Sequence, residues 1–120
     1  MTWAMVMLGG AVGSAFRYGL SLAMNPALGE GMPWGTLLAN VLGCFLIGWA
    51  FSWFAPGTEF NESARIGILV GLLGGFTTFS SFGLESVALL RAGEVGVLVF
   101  YVAVSNLAGI AAVWLGLRLA

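Results

Sequence analysis

The sequence predicts an all-α integral membrane protein of four transmembrane helices, the third of them broken near mid-membrane. Three observations carry this. Hydrophobic residues make up 60 % of the 120 residues and charged residues only 8 %, too little charge to clothe a soluble surface. The charges, four Arg and five Glu, fall at intervals that leave four long apolar stretches. The third stretch is interrupted by Gly74-Gly75 followed by Thr77, Thr78, Ser80 and Ser81. A chain of this length makes one domain, taken here as residues 1–120.

A spanning helix needs about 20 mainly apolar residues. The first span is read over 2–24, uncharged up to Arg17, with Asn25-Pro26 and the stretch from Gly29 to Pro33 as turn chemistry after it. The second is read over 33–54 and stops at Ala55-Pro56-Gly57. The third covers 64–91 and ends at Arg91-Ala92-Gly93; the fourth covers 95–118. Trp3, Trp34 and Trp53 fall near span ends, where an indole sits well at headgroup level. Gly9 and Gly13 on the first span, and Gly67, Gly71 and Gly75 on the third, repeat every four residues. Such small faces let helices approach closely where lipid supplies no hydrophobic drive. The N-terminus lacks a basic region and its apolar stretch is too long for a signal sequence, so no cleaved leader is expected.

Four spans put both termini on one side of the membrane, together with the 55–63 loop, Arg65 and Arg118. The other side holds two short loops and Arg91. The Arg count is two against one, or two against two if Arg17 belongs to the nearer end. Orientation normally follows a clear excess of cytoplasmic Lys and Arg, and none exists here. Either the chain inserts both ways round, or other factors set one orientation.

Composition excludes much chemistry. There is no His and one Cys, so no Ser–His–Asp triad, Cys–His pair or usual zinc site can form. No phosphate-binding GxxxxGK is present, and a net charge of −1 argues against nucleic acid. Cys44 reads as a packed hydrophobe. Glu59 and Glu62 read as a solvated loop pair, and no two carboxylates are placed for acid–base work. The chain is not expected to be an enzyme.

The broken third span is the informative place. Gly, Thr and Ser make poor helix there, because glycine carries an entropy cost and hydroxyls offer the backbone other partners. Carbonyls freed at a break cannot face lipid; they are buried, line water or coordinate a cation. The alternative is a continuous helix whose hydroxyls bond back one turn. Phe79 and Phe82 share a face if helix resumes, and ring edges attract anions without a full charge. Asn40 and Thr36 lie one turn apart on the second span, Tyr101 and Ser105 on the fourth, with Asn106 beside them. Donors from three spans and no intramembrane Lys suit a small hydrated anion; interhelical bonding is the plain alternative. Arg17 and Glu85 are the most deeply placed charges and so candidates for function. Arg17 either snorkels or holds Glu85 or a helix C-terminus.

Three stretches occur together: Gly10-Ala-Val-Gly-Ser-Ala-Phe-Arg17-Tyr18, Gly35-Thr36-Leu-Leu-Ala-Asn40-Val-Leu-Gly43-Cys-Phe, and Gly74-Gly-Phe-Thr77-Thr78-Phe79-Ser80-Ser-Phe82. In this order, in a four-span chain, they closely resemble the Fluc-type fluoride channels, the CrcB family. The third stretch is highly specific; the first would be weak alone. The resemblance implies passive fluoride export across the cytoplasmic (inner) membrane of a prokaryote, with no nucleotide. It implies an antiparallel, dual-topology homodimer with two pores. Phe79 and Phe82 match the pore phenylalanines, Asn40 the pore amide, and Thr36 and Ser105 polar positions along the path. A structural Na⁺ would be held by the carbonyls of Gly74 and Thr77 from both subunits. Tyr101 and Glu85 match family positions, with Thr78 and Ser80 as further candidates, while Phe76 and Ser81 depart from common members. The rivals are a proton-coupled small multidrug exporter and a non-transporting assembly subunit. The first wants a carboxylate in the first span, where only Arg17 stands. The second leaves the break and its polar companions unexplained.

Overall fold

The computed structural model describes residues 1–27, 31–54, 59 and 61–120, without the side chains of 25–27. The turn signals at Gly29 and at 55–57 lie outside the described residues. Within them the chain is all helical. The first span is α1 (Thr2–Ala27) and the second α2 (Trp34–Trp53). The third is built from α3 (Glu62–Ile66), a π-helical stretch (Gly67–Leu72), α4 (Leu73–Phe76) and, after a break, α5 (Ser80–Arg91). The fourth is α6 (Val95–Leu119). Three of these, Trp34–Trp53, Glu62–Arg91 and Val95–Leu119, are long and apolar enough to cross a membrane. At 26 residues α1 has the length, but Arg17 and four glycines lower its hydropathy.

Local chemistry explains the ends. Pro26 does not stop α1, since its fixed φ is helical and a last turn gives up only one backbone bond. Asn61 caps α3 by accepting the Ser63 N–H at 2.8 Å. At the far end Gly93 adopts φ +76°, and the N–H groups of Gly93 and Glu94 close back onto Leu90 and Leu89. This glycine C-cap satisfies carbonyls that α5 would otherwise leave bare. Expected and observed bounds agree within about three residues.

The four spans associate as two parallel pairs, each joined backbone to backbone at glycines. Along α1 and the third span, Gly67 faces Met5, Gly71 faces Val6 and Gly75 faces Gly10. A strict four-residue repeat drifts about 40° per step round an α-helix. The wider turns of the π-helical stretch offset that drift, so all three glycines meet α1. Between α2 and α6, Gly48 meets Val113 and Gly116 meets Phe45. Small residues do here what cohesion in water does elsewhere. Side-chain burial is correspondingly thin. Leu37, Leu89 and Tyr101 form one buried cluster, and Ala50, Leu69 and Leu73 another. Most large apolar side chains face outward, as a hydrocarbon solvent permits.

The sequence placed the break from Gly74-Gly75 onward. The structure keeps both glycines helical and opens the chain at Thr77, whose φ −89° and ψ 160° are extended. The reason is packing: Gly75 sits against Gly10, where a Cβ would come within 2.8 Å of the Gly10 carbonyl oxygen.

A Cβ at Gly13 would fall on the Leu72 carbonyl and 2.9 Å from the Phe76 nitrogen. Gly13→Ala is therefore expected to destabilise the protein by about 1–3 kcal/mol, the usual cost of overpacking. Gly96→Ala, which meets nothing within 4 Å, should melt like the parent or slightly higher. Thermal unfolding in detergent distinguishes the two.

Candidate functional site at the helix break

A helix that stops in hydrocarbon leaves its last carbonyls without donors. At the end of α4 the carbonyls of Leu73, Gly74 and Gly75 are each met differently, and that of Thr77 follows them. Leu73 accepts the Thr77 N–H at 3.1 Å and the Thr77 hydroxyl at 3.2 Å. The helical partner of the Gly74 carbonyl would be the Thr78 N–H. That N–H instead donates to Asn40 Oδ1 at 2.8 Å, leaving Gly74 only a 3.5 Å contact from the Thr77 hydroxyl. The Gly75 carbonyl receives Arg17 Nε at 3.4 Å. The Thr77 carbonyl accepts no hydrogen bond from the described residues.

Asn40 is what opens the chain. Its Oδ1 takes the Thr78 N–H while its Nδ2 donates to the Thr78 carbonyl at 2.9 Å. The side-chain amide thus pairs with one residue of the break as a neighbouring strand would. One N–H of the expected two remains available from α2. Beyond the break, Thr78 Oγ1 accepts the Ser81 N–H at 3.2 Å and lies 3.4 Å from Ser80 Oγ, which tethers the first turn of α5.

Phe79 and Phe82 follow. Their ring centroids are 5.7 Å apart, and Phe82 also leans on Tyr101 at 5.1 Å. The two rings are not equivalent. Phe79 is 82 % exposed on the single chain, whereas Phe82 is wedged against a fully buried Tyr101. Ser86, one turn on, donates to the Phe82 carbonyl at 2.7 Å.

Glu85 ends this row. Thr36 Oγ1 donates to one carboxylate oxygen at 2.8 Å and Tyr101 Oη to the other at 2.8 Å. Thr36, Glu85 and Tyr101 thus form one cluster from three spans, and both hydroxyl protons point at the carboxylate. Of the roles open to Arg17, the structure selects a helix C-terminus, since its partner is Gly75 and Glu85 is held elsewhere. Ser105, one turn beyond Tyr101, has a buried hydroxyl oxygen with no partner among the described residues. Asn106 turns outward and donates to its own helix at Val102. Cys44 faces Gly109. Glu62 is exposed and pairs with Arg65 at 3.3 Å, a contact of small worth at a surface.

Gly74 and Thr77 line an open groove of about 410 Å³, together with Asn40, Gly43 and Phe79. Carbonyl oxygens suit a hard cation. No group of three His, Cys, Asp or Glu able to hold a metal occurs among the described residues. Two oxygens from one chain are too few for such an ion. Sequence reasoning gave Gly43 no role beyond its place in a motif and did not name Ser86. The signal was their spacing, three after Asn40 and four after Phe82, which places each on the same helix face as its partner.

The family described as CrcB-like protein, Camphor Resistance (CrcB), matches residues 4–117. A protein of Thermus thermophilus named fluoride-specific ion channel FluC is 47 % identical over 117 residues, covering 98 % of this chain and 93 % of its own. Its namesake from Agrobacterium fabrum is 43 % identical over 116 residues, covering 97 % and 93 %. Another, from Parabacteroides distasonis, is 43 % identical over 115 residues, covering 96 % and 89 %.

Asn40→Ala loses both the acceptor for the Thr78 N–H and the donor to its carbonyl. Each unsatisfied group costs about 1–3 kcal/mol. Thermal unfolding should therefore place the Ala variant below the parent; an Ala variant melting with the parent would remove Asn40 from this role.

Proposed function

The chain belongs to the CrcB family, and we propose that it is a fluoride channel giving the anion passive exit across the cytoplasmic membrane. The relatives named above are ion channels, not enzymes. The observation that carries the reading in this chain is the track beside the break. It holds an exposed ring, a second ring wedged on Tyr101, a carboxylate gripped by two hydroxyls, and a buried serine hydroxyl without a partner. Two hydroxyls converging on Glu85 define a place built to hold a negative oxygen. Fluoride is smaller and equally hungry for O–H donors. The positive end of α5 opens beside Phe79, which favours an anion there. Ring edges and neutral donors bind weakly enough to let an ion leave, as conduction requires.

The mechanism follows from these groups. Fluoride shed of water passes the Phe79 and Phe82 edges, with the spare Asn40 N–H and the Ser105 hydroxyl replacing hydration. It competes with the Glu85 carboxylate for the Thr36 and Tyr101 protons. The membrane potential and the fluoride gradient supply the energy.

The same reading includes a homodimer of two oppositely inserted subunits. Support comes from the open groove: freed carbonyls and an exposed Phe79 cannot rest against lipid. A twofold axis in the membrane plane would bring two breaks together and give four carbonyl oxygens, two each from Gly74 and Thr77. Na⁺ bound there would neutralise the carbonyl ends and hold the subunits together. The weak Arg asymmetry agrees with insertion both ways round.

Liposomes containing only this protein, loaded with potassium fluoride and opened with valinomycin, should release fluoride rapidly while potassium chloride controls hold. Phe82→Ile is expected to abolish release from protein that still folds; undiminished flux would end the ring-edge role. Silence of the folded parent would favour an assembly subunit instead.

A further inference from the structure

We propose that Gly43 is a positioning residue for the break: the absence of a side chain there seats the Thr77 methyl and so fixes where the Thr77 carbonyl points. The inference deepens the cation reading above and rests on it for its consequence, though not for its geometry.

Thr77 is the single residue at which α4 gives way to extended chain, so its ψ of 160° decides the direction of its carbonyl. That carbonyl has no hydrogen bond of its own among the described residues to hold it. Orientation must come from what grips the rest of the residue. The N–H and the hydroxyl of Thr77 are both fastened to the Leu73 carbonyl. The next peptide is fastened by Asn40. The remaining substituent is the Cγ2 methyl, and it lies where a Cβ on Gly43 would be, with a Phe76 ring carbon 3.4 Å from that same point. Gly43 itself is buried.

A β-branched side chain cannot withdraw its methyl alone. Turning χ1 to clear a Cβ at position 43 would pull the hydroxyl off Leu73. Holding the hydroxyl would instead push the Thr77 backbone away from α2 and swing the carbonyl. Asn40 and Gly43, three residues apart and so on one face of α2, therefore act as a two-point clamp on consecutive residues of the break. Asn40 selects which amide leaves the helix. Gly43 sets the angle at which the freed carbonyl stands.

The clamp makes a specific pairwise prediction, because Thr77→Ser removes only the methyl and keeps the hydroxyl. The test compares the full-length parent, Gly43→Ala, Thr77→Ser and the double variant Gly43→Ala/Thr77→Ser in detergent. Two quantities are read: the Na⁺ concentration giving half of any Na⁺-induced rise in melting temperature, and amide exchange at Thr78. Gly43→Ala should raise the sodium midpoint about tenfold or more, the usual loss when a ligand's support is removed, and should speed exchange at Thr78. The double variant, whose serine has no methyl to meet a Cβ at position 43, should recover toward the parent on both counts, and Thr77→Ser alone reads the methyl's own contribution. Parent-like behaviour of Gly43→Ala, or a double variant no better than Gly43→Ala, overturns the clamp. If Gly43→Ala does not fold, recovery of folding in the double variant supports the proposal and its failure refutes it. A parent indifferent to Na⁺ would sink the cation reading alone, and the exchange pattern across the four proteins would then decide the clamp.

Discussion

A backbone amide that leaves its helix in the middle of a membrane needs a partner at once, and the pairing of Asn40 with Thr78 supplies it. Both backbone groups of one residue are met by a single side chain. Without that substitution the Thr78 N–H would return to Gly74 and the third span would close into continuous helix. With it, the Gly74 and Thr77 carbonyls become available, α5 restarts with its positive end inside the membrane, and Phe79 and Phe82 are carried to the same spot. Nearly everything of interest in this chain lies within two turns of that exchange.

Such a break has to be braced, since its ends are no longer joined by hydrogen bonds along one axis. Glycine contacts supply the bracing on one side. The π-helical stretch keeps three glycines in register against α1, so α4 is held on its α1 face up to Phe76. Arg17, on the same α1, meets the negative end of α4 at Gly75, the expected place for a cation beside a helix C-terminus. On the other side Glu85 ties α5 to α2 and α6 through Thr36 and Tyr101. The two halves of the third span are therefore anchored to different neighbours, α4 chiefly to α1 and α5 to α6.

That division explains why packing and chemistry are hard to separate here. Thr36 and Tyr101 count as interhelical hydrogen bonds and as members of the proposed ion track at the same time. Both oxygens of the Glu85 carboxyl are met by hydroxyls from two other helices. Ser105 is the exception, a buried hydroxyl oxygen with no partner among the described residues.

The sequence by itself determined the solvent and the all-helical fold, with helix ends to within about a turn. Each of these follows from local or additive properties: hydropathy over some twenty residues, turn chemistry, and the poor helix-forming character of a Gly, Thr and Ser cluster. It left open a broken or a continuous third span, and the chain breaks at Thr77 although the hydroxyl there still bonds back to Leu73. Only the tertiary structure decided that the glycine pair stays helical, that the break falls three residues later than Gly74, that Arg17 serves Gly75 rather than Glu85, and that Asn40 holds the backbone of Thr78. Those outcomes depend on distances between residues far apart in sequence, where a contact of about one ångström more or less chooses the partner. Periodicity can say which face of a helix a residue occupies, but the neighbour waiting on that face is set by how the four helices pack.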